Sequence, residues 1–508
     1  MSAQPQGTAA APPGKGAASS ADYGKTASFL AVGVGLTGVI TYAYFLIASH
    51  VLSKPDYGQI TVLWSAVFIT ISTLYRPIEQ LLSRHISERL VKGEPIGQPM
   101  RVASTIQLGL SLFFAVVALA LRGPIQNGVL EGNEALYWVF FTSVLFYAAS
   151  YFARGFLAGE QRFGLFVAMI LSESCFRTIF AVMVAIGVLS GQSAVAIGIT
   201  AAPALSLLVV PFAFARRAQK EKQVAEAVRG APVAAQSKPG MPGREAGDMP
   251  VEAGREAGDM PSDPGREAED APADDFSLTQ GGGFAAAVLV IMFSEQAFLN
   301  AGPLIVRGLQ GAAAAGFIFN VLMLARAPLQ LFQSVSTSIL PHLTTLHTSE
   351  AEDAEREFHH TVRMVLLGIA AFTALVVVVV LIGGPTAMQI AFSKKFTYDR
   401  AGLLLVSVGM GLYLSSVTVN QACIAQGQVR RAAARWIACA GLFIGWNFVP
   451  LVSDEFRRVE IGFLLAAGVL FSLLYLVYRH PHERAEDVLD PGSTEELELR
   501  LRMLDENV

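Results

Sequence analysis

Twelve stretches of roughly 18 or more mostly apolar residues run through this chain, near 27–49, 58–75, 102–121, 135–155, 163–189, 193–214, 284–306, 312–333, 361–383, 400–424, 432–452 and 459–478. As an α-helix, each is long enough to cross the hydrocarbon core of a bilayer. Helices also satisfy their own backbone polar groups there. The buried helices of a large soluble enzyme would need amphipathic helices and strand-like alternation between them, and the sequence has neither. Charge agrees: 15% of the 508 residues are Asp, Glu, Lys or Arg, where soluble domains run at about 25%. The chain reads as an all-α polytopic membrane protein with about twelve transmembrane helices.

The net charge of −4 decides little, because the charges are segregated. With both termini on the cytoplasmic side, 27 of the 37 Lys and Arg fall on that side and 8 in outer loops, with Arg177 and Arg326 inside spans. Setting aside the tails and the long 215–282 loop leaves 12 against 8. The positive-inside bias therefore predicts a multi-pass protein of the cell membrane with both ends cytoplasmic. Cys175, Cys423 and Cys439 all sit in spans without CxxC spacing, which suits small packing residues and implies no disulfide framework. Residues 1–25, rich in Ala, Pro and Gly, lack the apolar core of a signal peptide and are expected to form a disordered tail.

Residues 215–282 divide the spans six and six. This stretch opens on Arg216, Arg217, Lys220 and Lys222 and then turns acidic, repeating "GREAGDMPVEA", "GREAGDMPSDP" and "GREAEDAPADD" from Gly243, Gly254 and Gly265. Gly, Pro and the scarcity of large apolar side chains mark a disordered cytoplasmic linker. The spans on either side (26–214 and 283–478) repeat weakly. An offset of 258 puts Gly58 on Gly316 and "LLSRHI" on "ILPHLT"; an offset of 268 puts "LAGEQR" on "AQGQVR". Six is even, so the halves share one orientation and are expected to be parallel six-helix bundles. Residues 479–508 form an acidic cytoplasmic tail, where "STEELELRLRML" reads as a short capped helix.

"VGLTGVITYAYFLIASHVLSKPDYG", "RPIEQLLSRHISER" and "ARAPLQLFQSVSTSILPHL" resemble bacterial polysaccharide flippases of the multidrug/oligosaccharidyl-lipid/polysaccharide exporter superfamily, relatives of the O-antigen and teichoic-acid exporters. The resemblance covers about 27–214 and 284–478, and its motifs say little about substrate. It implies a V-shaped pair of six-helix bundles that flips a polyprenyl-pyrophosphate-linked glycan from the inner to the outer leaflet by alternating access. Lipid II flippases of the superfamily usually carry fourteen spans, which counts against that reading. The partners implied are the lipid-linked glycan, the bilayer and the glycan polymerase or glycosyltransferases that act on the same lipid; no nucleic acid is expected.

An ionisable residue at the bilayer centre costs roughly 2.5–3.5 kcal/mol on insertion scales, so the few present are the candidates. Glu173 and Arg177 in "SESCFR" lie four apart on one helix face. They either line a cavity, with Arg177 toward a phosphate, or tie helices together as a neutralised pair. Glu295 in "MFSEQAFLN", with Gln296 and Asn300 close by, is either an ion-coupling carboxylate or hydrogen-bonded packing. Arg326 in "LARAP" has the fork suited to phosphate, and Pro328 after it is placed to kink the helix.

The second span ends near Tyr75, and "RPIEQLLSRHISERL" reads as an amphipathic continuation to about Leu90, bent at Pro77. Arg76, Glu79 and Arg84 at helical spacing either face a wet inner mouth that attracts an anionic headgroup or are ordinary positive-inside anchoring. The matching stretch 334–346 is nearly uncharged, so the halves are not expected to be functionally symmetric. "NAGPLIV" (300–306) either breaks the seventh helix or frays its outer end.

No P-loop motif occurs, so neither ATP hydrolysis nor any cofactor is expected. There is no HExxH, and His342, His347, His359 and His360 are read as a solvated inner loop. No outer loop exceeds roughly twenty residues, which leaves no room for the catalytic loop of a glycosyltransferase or polymerase. A transporter is expected, not an enzyme. The competing readings are a cation-coupled multidrug exporter of the same superfamily and, in another class, a polyprenyl-lipid membrane enzyme or an envelope-assembly scaffold.

Overall fold

The structure, a computed structural model, describes residues 20–211, 278–324, 352–393, 396 and 398–480. Secondary structure among them is helical throughout: α1 (Ser20–Val51), α2 (Lys54–Leu74), α3 (Arg76–Lys92), α4 (Gly97–Ala120), a π-helical turn (Pro124–Val129), α5 (Glu134–Gly159), α6 (Phe163–Ala185) and α7 (Gly191–Ser206) precede the linker. After it come α8 (Leu278–Gln310), α9 (Ala312–Leu324), α10 (Glu352–Phe392), α11 (Arg400–Ala425), α12 (Val429–Trp446) and α13 (Glu455–Arg479). Met1–Val210 and Gly283–Val508 belong to one compact unit; Pro211–Gly282 forms another and lies almost wholly outside the described residues.

As far as they are described, the expected spans fall on helices, and ten helical segments among the described residues are long and apolar enough to cross a membrane. The two shortfalls have separate causes. Helix α9 is described only to Leu324, whereas the expected span runs to 333. Helix α12 carries Arg430, Arg431 and Arg435 in its first two turns. Cys175, Cys423 and Cys439 are free thiols.

Local sequence explains the ends facing the expected outer side. Helix α2 starts on "SKPD": the Ser53 Oγ accepts from the Asp56 amide and Pro55 occupies the first turn, where its missing N–H costs nothing. Asn133, Asp399 and Asp454 cap α5, α11 and α13 in the same way. Between α2 and α3 only Tyr75 intervenes, at φ −112°, and Pro77 sits in the first turn of α3. The expected bend is therefore a true helix break. Gly93 in the left-handed region (φ 72°) ends α3.

Two expectations fail. Helix α8 runs without a break through "NAGPLIV", with Pro303 inside it, since neighbouring helices tolerate proline in membrane helices. His359 and His360 lie on α10, which starts at Glu352 rather than near 361, and His359 Nδ1 meets the Tyr478 hydroxyl on α13. His342 and His347 lie outside the described residues.

Candidate functional site

Helices α5 and α6 form a hairpin about the turn at 160–162. Tyr147, Tyr151 and Arg154 fall on one face of α5, at i, i+4 and i+7, against Glu173 and Arg177 on α6. The Glu173 carboxylate accepts from Tyr147 Oη (2.8 Å) and Arg177 Nη2 (2.8 Å) at one oxygen, and from Arg154 Nη2 at the other. Arg177 also donates to Tyr147 Oη (3.1 Å) and reaches Thr41 Oγ1 on α1 at 3.5 Å. Its guanidinium carbon stands 4.3 Å from the centre of the Trp64 ring on α2, while Arg154 stacks over Tyr151.

Glu173 and Arg177 are 5% and 2% exposed. Two guanidiniums share one carboxylate in a sealed network joining four helices. The expected contact between Glu173 and Arg177 is present, and Arg177 has little surface left for a ligand. The charge reading missed Arg154. Arg154 stands one residue from the end of the expected span at 155, where a cation reads as inner-side charge, but α5 continues to Gly159 and carries Arg154 inside. The tyrosine–tyrosine–arginine stripe on α5 was the available signal.

Helix α3 packs on the inner part of α5 through "GFLAG". A Cβ on Gly155 would lie 2.8 Å from the Glu79 carbonyl oxygen, and one on Gly159 would lie 2.7 Å from Ile86 Cβ. Ser87 Oγ donates to the Gly159 carbonyl at 3.0 Å. This close seat fixes the register of Arg76 and Glu79. Arg76 is exposed, yet its electrostatic neighbours are Glu295 on α8, Tyr151 on α5, Glu79 and Tyr413 on α11. Tyr151 and Tyr413 are themselves buried. Arg76 is thus an exposed guanidinium whose electrostatic neighbours are interior groups of both halves.

Glu79 is half-buried, within electrostatic reach of Arg154 and Arg76. Glu295 is half-buried as well, and Arg76 is the charge that acts on it. Among the described residues the side chains of Arg76, Glu79 and Glu295 make no hydrogen bond or ion pair with one another or with any other group. Asn300, one turn beyond Gln296, donates to its side-chain oxygen at 2.9 Å, and both are buried. Arg84 faces outward on α3 and pairs with Glu88 at 2.7 Å, an exposed pair of the ordinary kind. Arg326 lies outside the described residues, as does Pro328. An apolar crevice of about 510 Å³ between α11 and α13, lined by Leu404, Leu405, Val408 and Leu464, shares no residue with this charged group.

No protein-family model matches this sequence, and no curated protein matches it. Solved structures do. An inward-facing multidrug-resistance MATE family transporter of the MOP superfamily superposes with TM-score 0.58 at 11% identity, over 89% of this chain and 97% of that one. MATE in a bent conformation gives 0.55 at 12% identity, over 90% and 95%. An outward-facing MATE family transporter of the MOP superfamily gives 0.52 at 14% identity, over 90% and 95%. The chain has the MATE-type transporter fold. At these identities the likeness concerns the path of the backbone, and the chemistry of the candidate site has to be read from this chain's own residues.

Proposed function

We propose that this chain is a membrane flippase that moves a polyprenyl-(pyro)phosphate-linked oligosaccharide or polysaccharide precursor across the cytoplasmic membrane by alternating access. The observation that carries the reading is Arg76: an exposed guanidinium with no hydrogen-bond or ion-pair partner among the described residues, set among interior groups of both halves of a MATE-type fold. A guanidinium fork binds phosphate oxygens two at a time, and low-dielectric walls strengthen its pull on an anion. In this reading Arg76 and Glu79 meet the headgroup, Glu173 and Arg177 hold the wall, Arg326 remains a candidate second phosphate contact, and Arg84 attracts the substrate at the mouth. Glu295 is the candidate for ion coupling, since a membrane carboxylate with no direct partner is placed to exchange a proton or cation.

A cation-coupled multidrug exporter is the second reading, favoured by the same Glu295 and by the names of the structural neighbours. A cationic drug would be repelled by Arg76, whereas a pyrophosphate is drawn to it. Depletion of the protein in cells, with a readout of which leaflet holds the lipid-linked glycan, separates the readings. Accumulation on the inner leaflet is expected. Unchanged leaflet distribution with a changed drug tolerance would replace the flippase by the drug exporter, and unchanged distribution with altered glycan chemistry would point to an enzyme.

A further inference from the structure

At the expected outer end, the halves meet where α2 crosses α9. A Cβ on Gly58 would stand 1.7 Å from the Ala312 carbonyl oxygen, and one on Gly316 would stand 3.3 Å from the Gly58 Cα. These are the two glycines that the 258-residue offset aligns. Below the crossing, the Tyr57 hydroxyl donates to Asn320 Oδ1, and Phe45 packs on Phe319 with ring centres 4.6 Å apart.

Helix α9 starts directly after Gly311, whose φ of 86° closes α8. Glycine has no side chain with which to cap the next helix. The missing acceptor comes from the other half: Glu131 Oε1 takes the Ala312 N–H at 3.1 Å. Glu131 Oε2 accepts from Gln59 at 2.8 Å. Arg307, in the last turn of α8, donates to the Gly128 and Asn127 carbonyls and lies 3.9 Å from the Glu131 carboxylate.

We propose that Glu131 is a latch: its carboxylate holds the two halves together at the expected outer end by capping a helix of the opposite half. Three features suit a joint made to open. Glu131 sits at φ 53°, in the left-handed region that residues with a side chain rarely adopt. Arg307 Nε and Asn320 Nδ2 are buried at the joint with no hydrogen-bond partner among the described residues, donors that a second arrangement can satisfy. The glycine crossing permits close approach without interlocked side chains, so it can part and re-form. Release removes the cap, which leaves the α9 N–H groups to water and weakens the closed state by about 1 kcal/mol.

The latch rests on the exporter reading, because it presumes a mouth that opens. Spin labels at Ala135→Cys on α5 and Gln310→Cys on α8, both exposed, report the width of the mouth by pulsed electron resonance, with the three native cysteines replaced by alanine. Glu131→Ala is expected to raise the long-distance fraction about fivefold, the population change that about 1 kcal/mol converts to. Glu131→Gln should raise it less, since its amide oxygen still accepts from Ala312. Gly58→Leu should abolish the short distance. Distributions for both Glu131 variants that superimpose on the unsubstituted chain would overturn the latch, whatever Gly58→Leu does. Normal opening with no leaflet defect on depletion would instead leave the latch and remove the flippase reading.

Discussion

The interiors of the two halves hold themselves together by different means. In the first, Arg154, Glu173 and Arg177 form a sealed ionic cluster closed by Tyr147 and Trp64. In the second, Phe298 is ringed by Tyr413, Trp436, Phe443 and Phe463 with centroids 5.7–6.3 Å away. Trp436 donates to Asn420 at 3.0 Å. Glu295, on the same helix as Phe298, has no direct partner among the described residues. The first half ties Arg154, Glu173 and Arg177 into one cluster, while the second leaves the Glu295 carboxylate with Arg76 as the charge that acts on it. The difference separates charge used for construction from charge left available for work.

The comparison is most exposed at Glu173. Glu173→Ala takes from Arg154 and Arg177 the carboxylate they share, and removing one partner of a buried ion pair costs about 3–5 kcal/mol. The expected outcome is loss of monodisperse protein in detergent, read by size-exclusion chromatography and thermal melting. Phe298→Ala opens a cavity in the aromatic ring cluster and should cost about 3 kcal/mol, a lowered melting temperature in a chain that still folds. Near-neutral results at Glu173 would mean that the ionic cluster is not what holds the first half.

Arg76→Ala should leave stability within about 0.5 kcal/mol, as for an exposed side chain, yet abolish export; a matching loss of melting temperature would place Arg76 among the structural charges. The smallest effect is expected at Asp399, outside the spans. Burial acts to raise its carboxyl, but the Arg457 hydrogen bond and charge, with amide bonds from Gly402 and Ala401, outweigh it and hold the group below the usual range. A lowered folded-state value stabilises above the unfolded one, about 3.9, and this contribution is lost as pH falls through the folded value. The difference in melting temperature between the protein and Asp399→Asn should therefore be present at neutral pH and vanish in acid.

The sequence made some of this legible because local spacing carried it. Hydropathy located the helices, Pro77 marked the α2–α3 break, and the four-residue spacing of Glu173 and Arg177 gave their contact. Arg154 was hidden because it stands at the expected end of its span, four residues short of where α5 ends, and its pairing with Glu173 depends on how the α5–α6 hairpin folds back. The seat of α3 on Gly155 and Gly159 is a contact between helices that no single-helix periodicity reveals. Glu131 sits in a loop, where nothing in the sequence says that its partner lies in the other half. The unbroken α8 shows the reverse case: "NAGPLIV" carries the local signal of a break, and tertiary packing overrides it.

Binding of a polyprenyl pyrophosphate to the purified protein in nanodiscs tests the central role of Arg76 most directly. Replacing Arg76 by alanine should weaken binding about tenfold or more, the worth of a charge-assisted hydrogen bond in a low-dielectric site. Equal affinity for the unsubstituted protein and Arg76→Ala, with both folded, would contradict the account.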